Sequence, residues 1–159
     1  MRFKDKIVLI TGSAGGIGFK TALDFGNEGA IVAVTDIDFE MAKKLSNQII
    51  SNGGIAEPLH LDVTNLEQTK NVFEVLNQKY GVCDIVFCNA GIREITPMLD
   101  LEFEDWKKVI DVNVNGVFLS AQTFAKNCVK HNKTGNIIIT ASTFCLLYTS
   151  PSPRDAYVS

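Results

Sequence analysis

Thr11-Gly12-Ser13-Ala14-Gly15-Gly16-Ile17-Gly18 is the stretch whose reading decides the fold. It follows an apolar, β-branched run from Lys6 to Ile10 and precedes a segment of helical spacing, Ile17 to Asn27, closed by Gly29. A glycine cluster in isolation is a flexible turn. Between a strand and a helix, its glycines allow a tight turn and close approach of the backbone. The helix N-terminus adds unpaired N–H groups and a positive dipole end, a combination that suits a pyrophosphate. Lys20-Thr21 resembles the end of a nucleoside-triphosphate loop, but that loop needs glycine directly before the lysine, where Phe19 stands.

Outward from this turn the same alternation repeats. Ile31 to Thr35 reads as a second strand, and Asp38 can cap a helix that runs to about Ser51 and ends at Gly53-Gly54. A third strand is expected near Glu57 to Leu61. Thr64 and Glu67 form a capping box that opens a helix stopping near Gly81. Asp84 to Phe87 reads as a fourth strand, followed by a loop holding Pro97 and a long helix from about Phe103 to Val129. Asn136 to Thr140 is the fifth strand. Strands spaced by helices of this length predict βαβ units, so the fold class is α/β, a Rossmann-like doubly wound parallel sheet. Ligands of such sheets sit at the carboxyl ends of the strands, where strand order reverses.

Asp36 stands at the end of the second strand. A carboxylate there accepts both hydroxyl hydrogens of an adenosine ribose and repels a 2′-phosphate. Neither Ser13 to Gly15 nor Ile37 offers a basic side chain to compensate, so NAD is favoured over NADP. In the long helix Trp106, Ile110, Asn113, Val117, Ala121, Phe124 and Cys128 recur at steps of three and four, which predicts one buried stripe with Asn113 in its middle. A buried amide without partners costs on the order of 1–3 kcal/mol, so Asn113 is expected to have a partner or a task.

The 159 residues are 46% hydrophobic and 21% charged, the composition of one globular domain able to bury a core without staples. Net charge is −3 with no basic run, which gives no support to a nucleic-acid or anionic-membrane partner. Cys83, Cys88, Cys128 and Cys145 make no CxxC pair, and His60 and His131 lack ligand spacing, so packing or surface roles are expected and no metal. No apolar run approaches spanning length, and the N-terminus lacks a signal-peptide pattern; a reducing, cytoplasmic setting is expected.

With these residues in order, the chain resembles the short-chain dehydrogenase/reductase family. Thr11-Gly12-x-x-x-Gly16-x-Gly18 is similar to its cofactor motif, with wider glycine spacing than GxGxxG. Leu61-Asp62-Val63 resembles the third-strand end whose aspartate and next residue contact adenine. Cys88-Asn89-Ala90-Gly91 resembles the Asn-Asn-Ala-Gly signature, with cysteine for the first asparagine. Asn113, within Val112-Asn113-Val114-Asn115-Gly116, matches the catalytic asparagine that holds a water in the proton relay. Ser142, ending Ile139-Thr140-Ala141-Ser142, matches the serine that hydrogen-bonds the reacting oxygen.

The resemblance implies a cofactor site of Gly12, Ser13, Gly16, Ile17, Gly18, Asp36, Asp62, Val63, Asn89, Ala90 and Gly91, with Asn113 and Ser142 as catalytic residues. It implies NAD(P)-dependent hydride transfer between an alcohol and a carbonyl of a small molecule, and a parent protein that is a homodimer or homotetramer. It also implies that strand five lies beside strand four and that the long helix packs on a partner subunit. A non-catalytic dinucleotide-binding sensor on the same fold is the alternative, and a methyltransferase on a related sheet ranks last.

The resemblance covers residues 1 to about 144. The family's tyrosine lies thirteen residues after the serine and four before a lysine, but position 155 is Asp155 and no lysine follows Lys133. Cys145-Leu146-Leu147-Tyr148-Thr149-Ser150-Pro151-Ser152-Pro153-Arg154-Asp155 has no hydrophobic period and is similar, residue for residue, to one reading frame of a common transposase sequencing adapter. The expectation is therefore an incomplete Rossmann domain over 1–144, truncated after strand five, a non-native tail over 145–159, and an inactive chain whose sheet exposes Ile137, Ile138 and Ile139.

Overall fold

The computed structural model describes residues 1–142. The expected boundary between 144 and 145, and everything beyond it, lies outside those residues. Five strands form one parallel sheet: β1 (Ile7–Thr11), β2 (Ile31–Asp36), β3 (Ile55–His60), β4 (Ile85–Cys88) and β5 (Asn136–Ile139), in the order β3-β2-β1-β4-β5. Helices α1 (Gly16–Asn27), α2 (Phe39–Ser51) and α3 (Leu66–Lys79) follow β1, β2 and β3. Between β4 and β5 run α4 (Phe103–Ile110), a π-helical segment (Asp111–Gly116) and α5 (Val117–Lys130), continuous with one another.

The order reverses at β1, which pairs with β2 on one side (Leu9 opposite Ala33) and β4 on the other (Leu9 opposite Val86). Every residue of β1 is buried because both faces of a parallel sheet are covered. Alternate side chains divide the core. Leu9 and Val86 join Phe73, Leu76 and Phe124 on the face of α3 and α5, whereas Val8, Ile10, Val32 and Val34 meet Ala22, Ala42, Leu45 and Ile49 on the face of α1 and α2.

Local chemistry sets the helix ends. Asp38 caps α2, its carboxylate accepting the Met41 N–H at 3.0 Å, and Gly53 (φ +86°) turns the chain beyond it. The cap of α3 is not Thr64. Asp62 claims both the N–H and the hydroxyl of Thr64, at 2.9 and 2.7 Å, and the neighbouring Asn65 accepts the Gln68 N–H instead.

The stripe on the long helix is also corrected. Phe124 and Cys128 are buried and Val117 and Ala121 partly so, but Trp106 is 47% exposed and Asn113 is exposed. Periodicity tells which residues share a helix face; it carries no information on what covers that face. The elements packed most extensively against this long helix, α3 and β4, meet its α5 half. Ile137, Ile138 and Ile139 of β5 are exposed as expected, each above 40%. Among the described residues, no helix is long and apolar enough to cross a membrane.

Candidate functional site

At the carboxyl end of β1, Gly12 and Gly16 adopt φ of +61° and +53°, conformations that favour glycine. A Cβ on Gly12 would lie 2.6 Å from the Ala90 Cα, and one on Gly18 would meet the Gly12 carbonyl and stand 2.7 Å from the Asn89 amide. These two glycines let the turn, the start of α1 and the segment after β4 touch. Gly15 and Gly16 behave differently, with open space where their Cβ atoms would be, and no side chain caps α1. Ser13 is buried. Its N–H and hydroxyl both donate to the Thr35 carbonyl at 3.1 Å, pinning the turn to β2.

Asp36 lies across from this turn and is partly buried. Its carboxylate accepts the Ala14 N–H at 2.8 Å and the Asp38 N–H at 3.0 Å. After β3, the Asp62 N–H donates to the Gln68 side chain at 2.8 Å, and Val63 packs against Gly116. After β4, the Asn89 side chain donates to the Thr11 and Gly12 carbonyls at 3.2 and 2.9 Å. The Thr11 hydroxyl receives the N–H groups of Asn89 and Ala90, each at 3.0 Å.

Asn113 sits inside the π-helical segment, a widened turn of the kind that recurs at functional sites. Its amide is paired in both senses with one residue: the Ile92 N–H donates to its Oδ1 and its Nδ2 donates to the Ile92 carbonyl, both at 2.8 Å. Although exposed, the amide therefore has a partner, and it ties the long helix to the loop after Gly91. Ser142 is exposed, three residues beyond β5.

A cleft of about 440 Å³ joins these parts. Of the residues singled out in the sequence, Gly12, Asp36, Asp62, Val63, Asn89, Ala90 and Gly91 line it. Ser13, Gly16, Ile17, Gly18, Asn113 and Ser142 do not. Gly18 and Ser13 act from behind the wall by packing and hydrogen bonding, and Ile17 is 62% exposed. Gly15, Ile37, Leu61, Ile92 and Val112 also line the cleft. Gly15 was visible in the glycine run, and Ile37 and Leu61 adjoin residues already chosen. Ile92 follows Gly91 and Val112 precedes Asn113, and the paired hydrogen bonds between Asn113 and Ile92 bring loop and helix together beside the wall.

The donor set suits a nicotinamide dinucleotide. One end of the cleft carries the Asp36 carboxylate beside the apolar Ile37, Leu61 and Val63, suitable for a ribose and a flat ring. The other has the glycine turn, whose open Gly15 and Gly16 leave a phosphate room to approach the α1 N-terminus. Cys88, at the end of β4, is buried, and burial pushes its thiol up to about 11, which disfavours the thiolate form.

A family profile described as short chain dehydrogenase matches residues 6–153. The chain is 37% identical over 140 residues to the probable oxidoreductase EphD of Mycobacterium tuberculosis, covering 88% of this chain and 24% of that protein. It is 39% identical over 142 residues to the 3-oxoacyl-[acyl-carrier-protein] reductase FabG of Thermotoga maritima, covering 89% and 57%. The crystal structure of a short-chain type dehydrogenase/reductase from Mycobacterium marinum superposes with a TM-score of 0.86 at 38% identity, covering 89% of this chain and 57% of that one. The chain thus spans between a quarter and just over half the length of these relatives. Profile, sequence and backbone agree from β1 to β5, and this chain belongs to the short-chain dehydrogenase family.

Proposed function

We propose that residues 1–144 are the NAD-binding front of an oxidoreductase that interconverts an alcohol and a carbonyl of a small molecule, with 145–159 foreign to that fold. The observation that carries the cofactor preference is Asp36, a carboxylate on the cleft wall with no basic side chain beside it in Ser13–Gly15 or Ile37. It would hold the adenosine ribose hydroxyls and repel a 2′-phosphate. Asp62 and Val63 would flank the adenine, and Gly12 to Gly18 the diphosphate.

When bound, a nicotinamide dinucleotide supplies hydride exchange. The chain's own residues orient it. Asn89 and Ala90 hold the turn, Ser142 would hydrogen-bond the reacting oxygen, and Asn113 would hold a relay water while its side chain keeps the Ile92 loop in place. No Tyr-x-x-x-Lys occurs in the 159 residues, so this chain alone is expected to bind cofactor without turnover. Isothermal titration with NAD⁺ and NADP⁺ tests the proposal. Tighter NAD⁺ binding supports it, and equal or reversed affinities overturn the preference.

A further inference from the structure

The Asn89 side chain makes three hydrogen bonds that fix its amide plane. Nδ2 donates to the Thr11 and Gly12 carbonyls, and Oδ1 accepts the Thr140 hydroxyl at 3.0 Å. Thr140 is itself fixed, because its N–H donates to the Cys88 carbonyl at 3.1 Å. The amide is also wedged from below: a Cβ at Gly18 would fall 2.7 Å from Nδ2. One amide thus links the end of β5, the end of β4, the phosphate turn and the first turn of α1.

We propose that Thr140 is a positioning residue for the phosphate turn, acting through Asn89. This inference rests on the cofactor reading above. The Thr140 hydroxyl satisfies the one face of the Asn89 amide that the turn leaves open. It is thereby the only side-chain donor recorded on Oδ1 among the described residues, and it holds the amide plane in which Nδ2 reaches two carbonyls at once. Without it, Oδ1 turns to solvent, and the Gly12 carbonyl loses a fixed donor. Because Gly12 carries the turn at φ +61°, its drift moves the N–H groups that a diphosphate would meet. The effect belongs to the diphosphate end. Asp36 ends β2, Asp62 and Val63 follow β3, and none of the three makes a hydrogen bond to Thr140 among those found in the described residues.

The test compares the 159-residue chain with Thr140→Val and Thr140→Ser by titration with ADP-ribose, which carries the diphosphate, and with adenosine, which does not. Loss of one hydrogen bond predicts ADP-ribose affinity about three- to tenfold weaker in T140V, with adenosine affinity unchanged and ADP-ribose affinity restored in T140S. Hydrogen exchange at the Asn89 side-chain amide rises in T140V and returns to the unsubstituted rate in T140S. A general loss of structure would weaken both ligands together, so an unchanged ratio of the two affinities in T140V overturns the role of Thr140 while leaving the cofactor reading intact. Failure of the unsubstituted chain to bind ADP-ribose overturns both.

Discussion

The Asp36 carboxylate accepts the Ala14 N–H at 2.8 Å, joining the end of β2 to the turn that follows β1. The residue proposed to select the ribose therefore also holds the loop proposed to bind the diphosphate. A charge-assisted hydrogen bond to a partly buried N–H is worth more than a neutral one, so these two tasks are coupled in any substitution.

Asp36→Ala removes both the ribose acceptor and the Ala14 tie. NAD⁺ affinity should fall about tenfold or more while NADP⁺ affinity changes less, which narrows the ratio. Asp36→Asn retains an acceptor for Ala14 and separates the tasks: exchange protection of the Ala14 N–H should persist in D36N and vanish in D36A. Unaltered NAD⁺-to-NADP⁺ selectivity in both variants would contradict the assignment.

Two glycines three positions apart should respond differently to the same methyl group. Gly18→Ala drives a Cβ into the Gly12 carbonyl and the Asn89 amide, both held by the sheet, and should destabilise the fold by about 1–3 kcal/mol in urea melts. Gly15→Ala meets open space at an extended φ of −154°, so its melt should match the parent's. Its methyl group would instead stand in the cleft and weaken NAD⁺ binding. Equal melts for the two variants would refute the packing role given to Gly18.

What was legible in the sequence was local. The glycine turn, the Asp38 cap and the βαβ alternation depend on neighbours within a few residues, and the structure shows them all. Thr64 was misread because a second local acceptor, Asp62, competes for it, and the sequence does not say which of two short-range bonds wins. Asn113 shows the larger gap. The expected stripe assumes an unbroken α-helix, whereas Asp111–Gly116 is a π-helical turn, and burial further depends on the element lying over the face. The actual partner of Asn113, Ile92, is twenty-one residues away with no distinguishing side chain. The Asn89 junction was hidden likewise, because its acceptors are backbone carbonyls of β1 and the turn.

Asn113→Ala should release the loop after Gly91. The Ile92 N–H, bonded only to Asn113 Oδ1 among the recorded contacts, should lose exchange protection about tenfold or more, while the β1 amides keep theirs. Asn113→Asp keeps an acceptor for that N–H but loses the donor to the Ile92 carbonyl, and should fall between. Unchanged protection at Ile92 in N113A would show the loop to be held by other contacts.

Cys83, Cys88 and Cys128, the cysteines among the described residues, should be inert in the folded chain. Cys83 and Cys128 are buried on one face of the sheet, and burial pushes the Cys83 thiol up to about 12. At pH 8, Cys83, Cys88 and Cys128 should react with iodoacetamide far more slowly than the same residues in urea, read by peptide mass spectrometry. Labelling of Cys83 at its unfolded rate would contradict its burial in the core with Leu9, Leu76 and Phe124.

Asp84 should give the fold an acid limit. Burial alone would raise its carboxyl, but the Ile7 N–H at 2.9 Å and the ammonium groups of Lys133 and Lys6, each at 3.2 Å, outweigh burial and hold it below the ordinary carboxylate range. A depressed folded-state value means that the unfolded chain binds the proton more readily. The contribution is then fully present above the unfolded value, about 3.9, and is lost as pH falls through the lower folded one. Asp84→Asn should cost about 1–3 kcal/mol at pH 7, where the charged hydrogen bonds are lost, and progressively less below about pH 4, where the parent loses them too. Urea melts of both chains across pH 2.5 to 7 measure this, and a difference that does not narrow on the acid side would show that the lysines do not hold the carboxylate.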